Sequence, residues 1–271
     1  LDCPICDQGG VCELQDFSMG HGADRSQFTD TKNAVASDDI GPLVETWMTR
    51  CIQCTRCVRF GDEIAGMREL GVVNRGEHSE ISTYVKTYVD SELSGNITDI
   101  CPVGALTAKP SQYGARNWEL LEHQGIALHD CVGSNIYLHS RGFKIKPQRQ
   151  VMNVVARENA EINDSWISDR DRFSYCGLNH ESRCVQPQVK RKEKWVDISW
   201  GRALDEVVDR ISAIMTHQTA KEVAFLAGPS CSTESYYLMQ KWARALGCNN
   251  VDHRIAQQDV SLDAWMPENA L

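Results

Sequence analysis

CIQCTRC, residues 51–57, places three cysteines at the spacing C-x2-C-x2-C. In two-cluster ferredoxins such a run continues to a fourth cysteine followed by proline, and this fourth cysteine ligates the other cluster. Here the fourth position is Gly61, whereas Cys101-Pro102 fits the end of a second run. The three cysteines that should precede Cys101 in that second run are replaced by other residues: Ser91, Ser94 and Ile97.

The cysteines that remain from the two runs form one complete ligand set. In a two-cluster ferredoxin each cluster is held by the first three cysteines of one run and the fourth cysteine of the other. Loss of one cluster therefore removes three cysteines from one run and the fourth from the other, and leaves the four ligands of the remaining cluster. We therefore predict one [4Fe–4S] cluster ligated by Cys51, Cys54, Cys57 and Cys101. The alternative is a structural zinc site, which is typically built from C-x2-C pairs rather than a triple with a distant fourth cysteine. Three nearby arginines either raise the reduction potential of the cluster or pair with acidic residues: Arg50, Arg56 and Arg59.

A second cysteine group, Cys3, Cys6 and Cys12, lies in the opening segment LDCPICDQGGVC at the spacing C-x2-C-x5-C. This is also metal-ligand spacing, but a fourth ligand is missing. No initiator methionine or leader is visible, so we expect a reducing compartment, in which clustered cysteines hold metal rather than disulfides. The other five cysteines are scattered singly, and we expect ordinary buried thiols: Cys131, Cys176, Cys184, Cys231 and Cys248.

The composition of the 271 residues is acidic, with a net charge of -9 and a pI near 5.4. This argues against a nucleic-acid partner, whose phosphates attract basic surfaces. No stretch approaches the roughly 20 apolar residues of a membrane-spanning helix. One short basic run, residues 190–194, is expected to be a solvated loop.

The pattern of apolar and polar residues changes along the chain. Short elements between cysteine loops are expected up to about residue 120, and a β-rich segment follows, with alternation in IALHDCVGSNIYLHS (126–140) and then FKIKPQ (143–148). A helix is predicted over 200–215 with Ser199 as its N-cap, because apolar residues follow one helical stripe. That stripe consists of Leu204, Val207, Val208, Ile211, Ile214 and Met215.

A strand, a helix and a second strand are predicted after this helix. The strand covers Val223 to Ala227 and is expected to be buried, the helix runs from about Thr233 to Leu246 with Gly247 as its C-cap, and the second strand begins at Asn250. This order is the start of a doubly wound α/β domain. We expect both ends of the chain to be cut from a longer protein.

Several stretches resemble the family of the large iron–sulfur subunit of respiratory complex I, the NADH–quinone oxidoreductase. The resemblance implies an electron relay that passes electrons between clusters from the flavin subunit toward quinone. The chain would be an enzyme only as a subunit of a proton-translocating NADH:quinone oxidoreductase, with no bond chemistry of its own. The stretches are CPICDQGGVCELQD (3–16), RCIQCTRCVRF (50–60), SGNITDICPVGALT (94–107), VGSNI (132–136) and WISDRDRF (166–173).

The same resemblance implies the fold class and the domains. We expect an α+β ferredoxin-like iron–sulfur module, then a β-rich segment, then the start of an α/β molybdopterin-oxidoreductase-like domain. The family's N-terminal [2Fe–2S] domain and most of its C-terminal domain would be missing. The expected ranges are a His/Cys-ligated segment over 1–40, a ferredoxin-like domain with one cluster lost over 41–120, a β-rich segment with ligands lost over 121–185, and the truncated α/β domain over 186–271.

Cofactors, partners and location also follow from the resemblance. It implies two [4Fe–4S] clusters and no molybdopterin. The partners would be other peripheral-arm subunits of complex I: the flavin and NADH-binding subunit, and the ferredoxin-type and quinone-site subunits. The protein would lie on the cytoplasmic side of a bacterial inner membrane, or on the matrix side in mitochondria, without a membrane span.

In the family, the opening cysteine group holds its cluster with a histidine four residues before the first cysteine. That position is two residues ahead of Leu1, so we expect the site in this chain to be incomplete. His21, in FSMGHGAD, is the other candidate imidazole, and the alternative is an ordinary loop histidine.

Some family members carry a further cluster in the β-rich segment. Its expected ligand positions here hold Ala127, Asp130, Ser134 and Ser168, so no metal is expected over 121–180. The turn Gly228-Pro229-Ser230 is expected to be structural rather than nucleotide-binding.

Two other functions remain open from the residues. The chain could be the electron-transfer part of an NAD-linked formate dehydrogenase or a hydrogenase, although those proteins usually keep both ferredoxin clusters. It could also be a zinc-stabilised interaction module.

Overall fold

The computed structural model describes residues 2–32, 34–84, 88–130, 132–142, 150–228 and 231–253. The chain divides into two compact units, Leu1–Glu181 and Ser182–Leu271. Among the described residues, no helix is long and apolar enough to cross a membrane. The four domain ranges given above stay a prediction.

The first part of the first unit consists of short elements between cysteine loops, as the sequence predicts. Strand β1 pairs antiparallel with β4, and β2 pairs antiparallel with β3. Their apolar faces meet in one core that includes Phe60, Ile97 and Leu106 together with Cys57 and Cys101. The elements are α1 Glu13–His21, β1 Val44–Thr46, α2 Arg56–Phe60, β2 Leu70–Val73, β3 Glu80–Thr83, α3 Asn96–Ile100 and β4 Leu106–Ala108.

A three-stranded antiparallel sheet in the order β5-β6-β7 completes the first unit, followed by the short helix α4. The predicted alternating segment 126–140 is only partly strand, because the described residues between β5 and β6, 127–130 and 132–134, are not strand. The stretch 143–148 lies outside the described residues. The bounds are β5 Leu121–Ile126, β6 Asn135–Arg141, β7 Gln150–Ala156 and α4 Asp169–Phe173.

Buried polar contacts fasten α4 to the ferredoxin-like part. Asp169 accepts hydrogen bonds from the Ser94 hydroxyl and the Gly95 amide, both at 2.6 Å. The Arg172 guanidinium, at the other end of α4, donates to Asp99 at 2.7 and 3.0 Å and to Asn96 Oδ1 at 3.0 Å. The loop that contains Ser94 and Gly95 is therefore held by side chains from a distant segment.

The second unit contains a strand, helix and strand in the predicted order. Ser199 caps the long helix α5 by accepting from the Arg202 amide, and Gly247 ends α6 with a left-handed φ of 72°. Strands β10 (Phe225–Leu226) and β11 (Val251–Asp252), which precede and follow α6 in the chain, pair in parallel, as expected for an α/β unit. The bounds are β8 Gln188–Arg191, β9 Lys194–Asp197, α5 Trp200–His217, β10 Phe225–Leu226, α6 Thr233–Ala245 and β11 Val251–Asp252.

Three features of this unit differ from the sequence prediction. The basic run 190–194 is not a loop: it joins the antiparallel pair β8-β9, and its turn residues Lys192 and Glu193 adopt left-handed φ values of 47° and 69°. The predicted strand Val223–Ala227 is reduced to two residues, of which Leu226 is 62% exposed. On α5, half of the predicted apolar stripe is exposed: Leu204, Val207 and Val208. Pro229 and Ser230 of the predicted turn lie outside the described residues.

Candidate metal centre

The cysteine run 51–57 forms a tight loop between a 3-10 helix and α2. Gln53 and Thr55 have left-handed φ values of 56° and 61°, which is uncommon for residues with a side chain and costs about 1–2 kcal/mol each. Helix α2 begins immediately afterwards at Arg56. Such strain persists where surrounding structure requires it, and here it lets a short loop turn its cysteines toward a common space.

The fourth cysteine of the predicted set reaches the same space from a separate element. Cys101 follows the last residue of α3, and it lines one cavity together with Cys51, Cys54 and Cys57. Cys57 and Cys101 are buried, Cys51 is partly buried and Cys54 is exposed. The rest of the cavity wall is mostly apolar: Met48, Ile52, Thr55, Arg56, Ile81, Val103, Ala105 and Leu106.

The electrostatics of this space disfavour free thiolates. Burial raises the pKa of Cys57 to about 12, and the nearby thiols of Cys101 and Cys51 add to the shift. Burial likewise raises the pKa of Cys101 and of Cys51. Because a metal centre stabilises thiolates through its own positive charge, the donor set suits a thiolate-bound metal.

A cluster and a single ion place different demands on the spacing of the four sulfur atoms. Within the described residues, no group of three or more His, Cys, Asp or Glu side chains lies close enough to hold one metal ion. A zinc ion bound to sulfur at about 2.3 Å would need its thiolates within about 4 Å of one another. A [4Fe–4S] cluster takes four cysteines on different irons, so their sulfur atoms stand farther apart.

The three arginines near this space are paired with acidic residues. The sequence left open whether they act on the cluster or pair with acids, and the structure shows the pairing. The contacts are Arg50–Asp2 at 3.1 Å, Arg56–Glu13 at 2.8 Å and Arg59–Glu63 at 3.2 Å.

The opening cysteines lie in a turn against the segment that follows Cys101. Cys3 begins a short 3-10 helix, Cys6 is buried, and the Cys12 sulfur caps α1 by accepting from the Gln15 amide at 3.4 Å. A Cβ atom added at Gly104 would collide with the Cys6 sulfur. Gly104 therefore leaves the space that Cys6 fills, a role that the cysteine spacing alone could not reveal.

The two cysteine groups are thereby brought together. The Glu13 amide donates to the Pro102 carbonyl at 3.1 Å, and the Gln8 side chain donates to the Cys101 carbonyl at 3.4 Å. Glu13 also forms a two-pronged ion pair with Arg56 of α2. Sequence reasoning predicted each group but not their adjacency, because no local pattern encodes contacts between segments so far apart in the chain.

His21 lies at the far end of α1 from the cysteines. At 1.5 Å per residue, the helix carries it about 13 Å along the axis from Cys12, too far for both to bind one cluster. Its side chain is exposed, and its ring lies 6.4 Å from that of Phe17. This geometry favours an ordinary histidine over a ligand, although His21 is the last residue of α1 and does not lie in the expected loop.

The expected ligand positions of the further family cluster make contacts within the fold. The Ala127 amide donates to the Ser134 carbonyl at 2.8 Å, Asp130 pairs with Arg170, and the Ser168 hydroxyl caps α4. Each polar side chain at Asp130 and Ser168 thus has a structural partner. The absence of a metal from this segment stays a prediction.

The prediction that the scattered cysteines are buried is largely wrong. Of the four described, Cys248 is buried and its thiol donates to the Val223 carbonyl at 2.9 Å. The other three are exposed: Cys184 and Cys231 lie in loops, and Cys176 lies within the 3-10 helix Ser174–Asn179. Cys131 lies outside the described residues.

Four family models match successive parts of the chain. They are an NADH-ubiquinone oxidoreductase-G iron-sulfur binding region over 1–27, an NADH-quinone oxidoreductase subunit 3 ferredoxin-like domain over 41–107, an NADH-ubiquinone oxidoreductase NDSU1/NuoG-like 4Fe-4S domain over 122–176, and a molybdopterin oxidoreductase domain over 183–270.

Curated relatives agree with these models. The chain is 44% identical over its full length to the G subunit of the NADH-quinone oxidoreductase of Rickettsia bellii, of which it covers 38%. It is 47% identical over 93% of its length to the NADH dehydrogenase [ubiquinone] iron-sulfur protein 1 of Solanum tuberosum, of which it covers 33%. A solved NAD+-reducing [NiFe]-hydrogenase shares 29% identity over 42% of this chain and 50% of its own, with a TM-score of only 0.38. The chain spans about a third of the length of these curated relatives. It belongs to the NuoG family, the large iron–sulfur subunits of NADH-quinone oxidoreductase.

Proposed function

We propose that this chain binds two [4Fe–4S] clusters and relays electrons as part of the large iron–sulfur subunit of NADH–quinone oxidoreductase. The observation that carries the proposal is the convergence of Cys51, Cys54, Cys57 and Cys101 on one mostly apolar space. Four cysteines are the usual ligand set of such a cluster, and a C-x2-C-x2-C triple with a distant fourth cysteine is a spacing found in ferredoxins.

The second cluster is assigned to the opening cysteines. Cys3, Cys6 and Cys12 would supply three ligands, and the fourth is the histidine that the family resemblance places ahead of Leu1. The contacts from Glu13 to Pro102 and from Gln8 to the Cys101 carbonyl support two sites in direct neighbourhood.

An iron–sulfur cluster supplies reversible transfer of one electron. The residues of this chain set where that happens and in what surroundings. Burial of Cys57 and Cys101 among Ile81, Val103 and Leu106 keeps water from one side of the site, while the exposed Cys54 marks the side open to solvent. This combination suits a relay, in which a buried centre must still come close to a neighbouring redox group.

The place of the chain in a larger assembly follows from its family. We assign it to the peripheral arm of complex I, between the flavin and NADH-binding subunit and the ferredoxin-type and quinone-site subunits. It would lie on the cytoplasmic side of a bacterial membrane or the matrix side of a mitochondrial one. The segment matching the molybdopterin oxidoreductase model is assigned a structural role without the pterin.

The ligand set is tested by changing Cys101→Ala and recording EPR spectra of the reduced protein together with its iron content. We expect loss of one [4Fe–4S] signal and about four irons per chain, because one thiolate of the set is missing. Cys184→Ala, at an exposed cysteine elsewhere, is the matched control and should retain both. Full iron content and an unchanged spectrum in Cys101→Ala would show that the distant ligand is misassigned.

The opening site is tested in a version of the chain that carries the upstream histidine. We expect it to hold about four more irons per chain than the present sequence. His21→Ala should leave that iron in place. Loss of the cluster in this variant would show that the fourth ligand lies inside the chain.

A further inference from the structure

We propose that Arg116 is a positioning residue for the opening cluster: its guanidinium fixes the turn that carries Cys3 and Cys6, and its charge raises the reduction potential of the cluster bound there. This inference rests on the proposed function, because it assumes that the opening cysteines hold a cluster.

The contacts of Arg116 lie on the backbone between two cysteines. Its Nη1 donates to the Cys6 carbonyl at 2.7 Å, and its Nη2 donates to the Pro4 carbonyl. Both carbonyls belong to the turn that Cys3 begins and Cys6 ends. A guanidinium is a rigid fork of donors, so holding two carbonyls of one turn fixes their relative orientation.

The turn leaves room for this side chain. A Cβ atom at Gly9 would lie 3.1 Å from both the Cys3 and Cys6 carbonyl oxygens and 3.5 Å from Arg116 Nη1. The two oxygen distances are closer than most real Cβ contacts, so glycine keeps the approach open. The Gly9 amide also donates to the Cys6 carbonyl at 3.0 Å, which gives that oxygen a second donor.

Arg116 is itself held in place from the other side. Its guanidinium carbon lies 5.7 Å from the centre of the Trp118 ring, and this ring packs against Gly10 of the cysteine segment. The neighbouring Asn117 side chain donates to the Asp7 carbonyl at 3.2 Å. The segment around Arg116 therefore contacts the cysteine loop at several points, and the fork is oriented before any metal binds.

The Arg116 guanidinium has no ion-pair partner among the described residues, although the Glu119 carboxylate accepts a hydrogen bond from the Arg116 backbone amide at 3.4 Å. The three arginines near the other cysteine set each pair with an acid, whereas no ion pair of Arg116 is found within the described part of the chain. A cationic group beside a cluster stabilises its reduced, more negative form and so raises its reduction potential. Arg116 thus acts on the opening cluster both by geometry and by charge.

The test uses the full-length protein and compares Arg116→Gln, Arg116→Lys and Arg59→Gln. Midpoint potentials of both clusters are measured by EPR redox titration, and iron is counted in each variant. Arg116→Gln removes the charge, and Arg116→Lys keeps the charge but loses the fork. Arg59, which is exposed and paired with Glu63, is the matched control.

We expect Arg116→Gln to lower the midpoint potential of the opening cluster and leave the four-cysteine cluster unchanged. Arg116→Lys should keep the potential closer to that of the unaltered protein but retain less iron at the opening site. Arg59→Gln should change neither quantity for that cluster. Loss of the opening cluster from both Arg116→Gln and Arg116→Lys, with the four-cysteine cluster retained in both, would also support the positioning role.

Two results would overturn the inference. The first is an unchanged potential and full iron in Arg116→Gln, and the second is loss of both clusters in every Arg116 variant, which would indicate general misfolding. Neither result contradicts the proposed function. That function is refuted by a different result, the absence of any [4Fe–4S] signal from the unaltered full-length protein.

Discussion

The ion pair between Arg172 and Asp99 should contribute strongly to the stability of the first unit. The Arg172 side chain is only 1% exposed, and its guanidinium donates to both Asp99 oxygens, to Asn96 Oδ1 and to the Val154 carbonyl. The change Arg172→Met keeps a long apolar side chain but removes every one of these bonds. Two acceptors, on Asn96 and Val154, then lose a charged donor inside the protein.

The size of the effect can be worked from these contacts. Removing one partner of a buried pair typically costs about 3–5 kcal/mol, because the other partner stays desolvated. The Asp99 side chain is 31% exposed, so water can solvate its carboxylate again, and we expect the lower end, about 3 kcal/mol. For a unit of this size each kcal/mol shifts Tm by about 2–4 °C, which predicts a fall of about 6–12 °C.

Thermal unfolding followed by circular dichroism at one fixed scan rate measures this fall. Arg59→Met is the matched control, because its ion pair with Glu63 is exposed and should be worth about 0.5 kcal/mol or less. Asp99→Asn should cost less than Arg172→Met, since an amide can still accept a bond from the buried guanidinium. Equal, small shifts for Arg172→Met and Arg59→Met would refute the reasoning.

Three further changes test other parts of the chain. Gly104→Ala should remove the opening cluster from the full-length protein but leave the four-cysteine cluster, because the added Cβ would collide with the Cys6 sulfur. Iron counting and EPR check this. Gly20→Ala is the control, because a Cβ added at Gly20 meets no atom within 4 Å. Thr55→Gly should stabilise the iron-free protein by up to about 1 kcal/mol in denaturant unfolding, since it relieves a left-handed φ of 61°, and a loss of stability would contradict the strain. The iron-free protein should lose stability as the pH rises from about 9 toward 12. The reason is that folding raises the pKa of Cys57 to about 12, so the folded state keeps this proton at a pH at which the unfolded chain has lost it. Cys57→Ser should flatten the measured slope of the unfolding free energy against pH.

Features that depend on neighbouring residues were predictable from the sequence. The helix over 200–215 was placed correctly with its cap at Ser199, and α6 was expected to end before Gly247, as it does. Caps and glycine stops work through hydrogen bonds within one turn, so the local sequence contains the whole signal. The cysteine run 51–57 is readable for the same reason, because one short loop must present its ligands together.

Features that depend on distant residues were not predictable in this way. Periodicity placed Leu204, Val207 and Val208 on one face of α5, but it could not say whether anything in the described unit covers that face. The basic run 190–194 was expected to be a loop from its charge, yet a two-residue turn with left-handed φ values lets it pair with itself as a hairpin. Arg116 and Gly104 gave no signal at all, because their roles exist only where two remote segments meet.

The same distinction bears on the predicted loss of one ferredoxin cluster, because the fold around the predicted site is kept. In a two-cluster ferredoxin the iron and sulfide of the second cluster would hold the loop that here contains Ser94 and Ile97. That loop is still buried, with Ser94 and Asn96 only 4% and 1% exposed, so its polar groups need other partners. Asp169 and Arg172 supply them from α4, some 75 residues away. We therefore predict that cysteines placed at Ser91, Ser94 and Ile97 would not by themselves create a cluster, because α4 holds the loop.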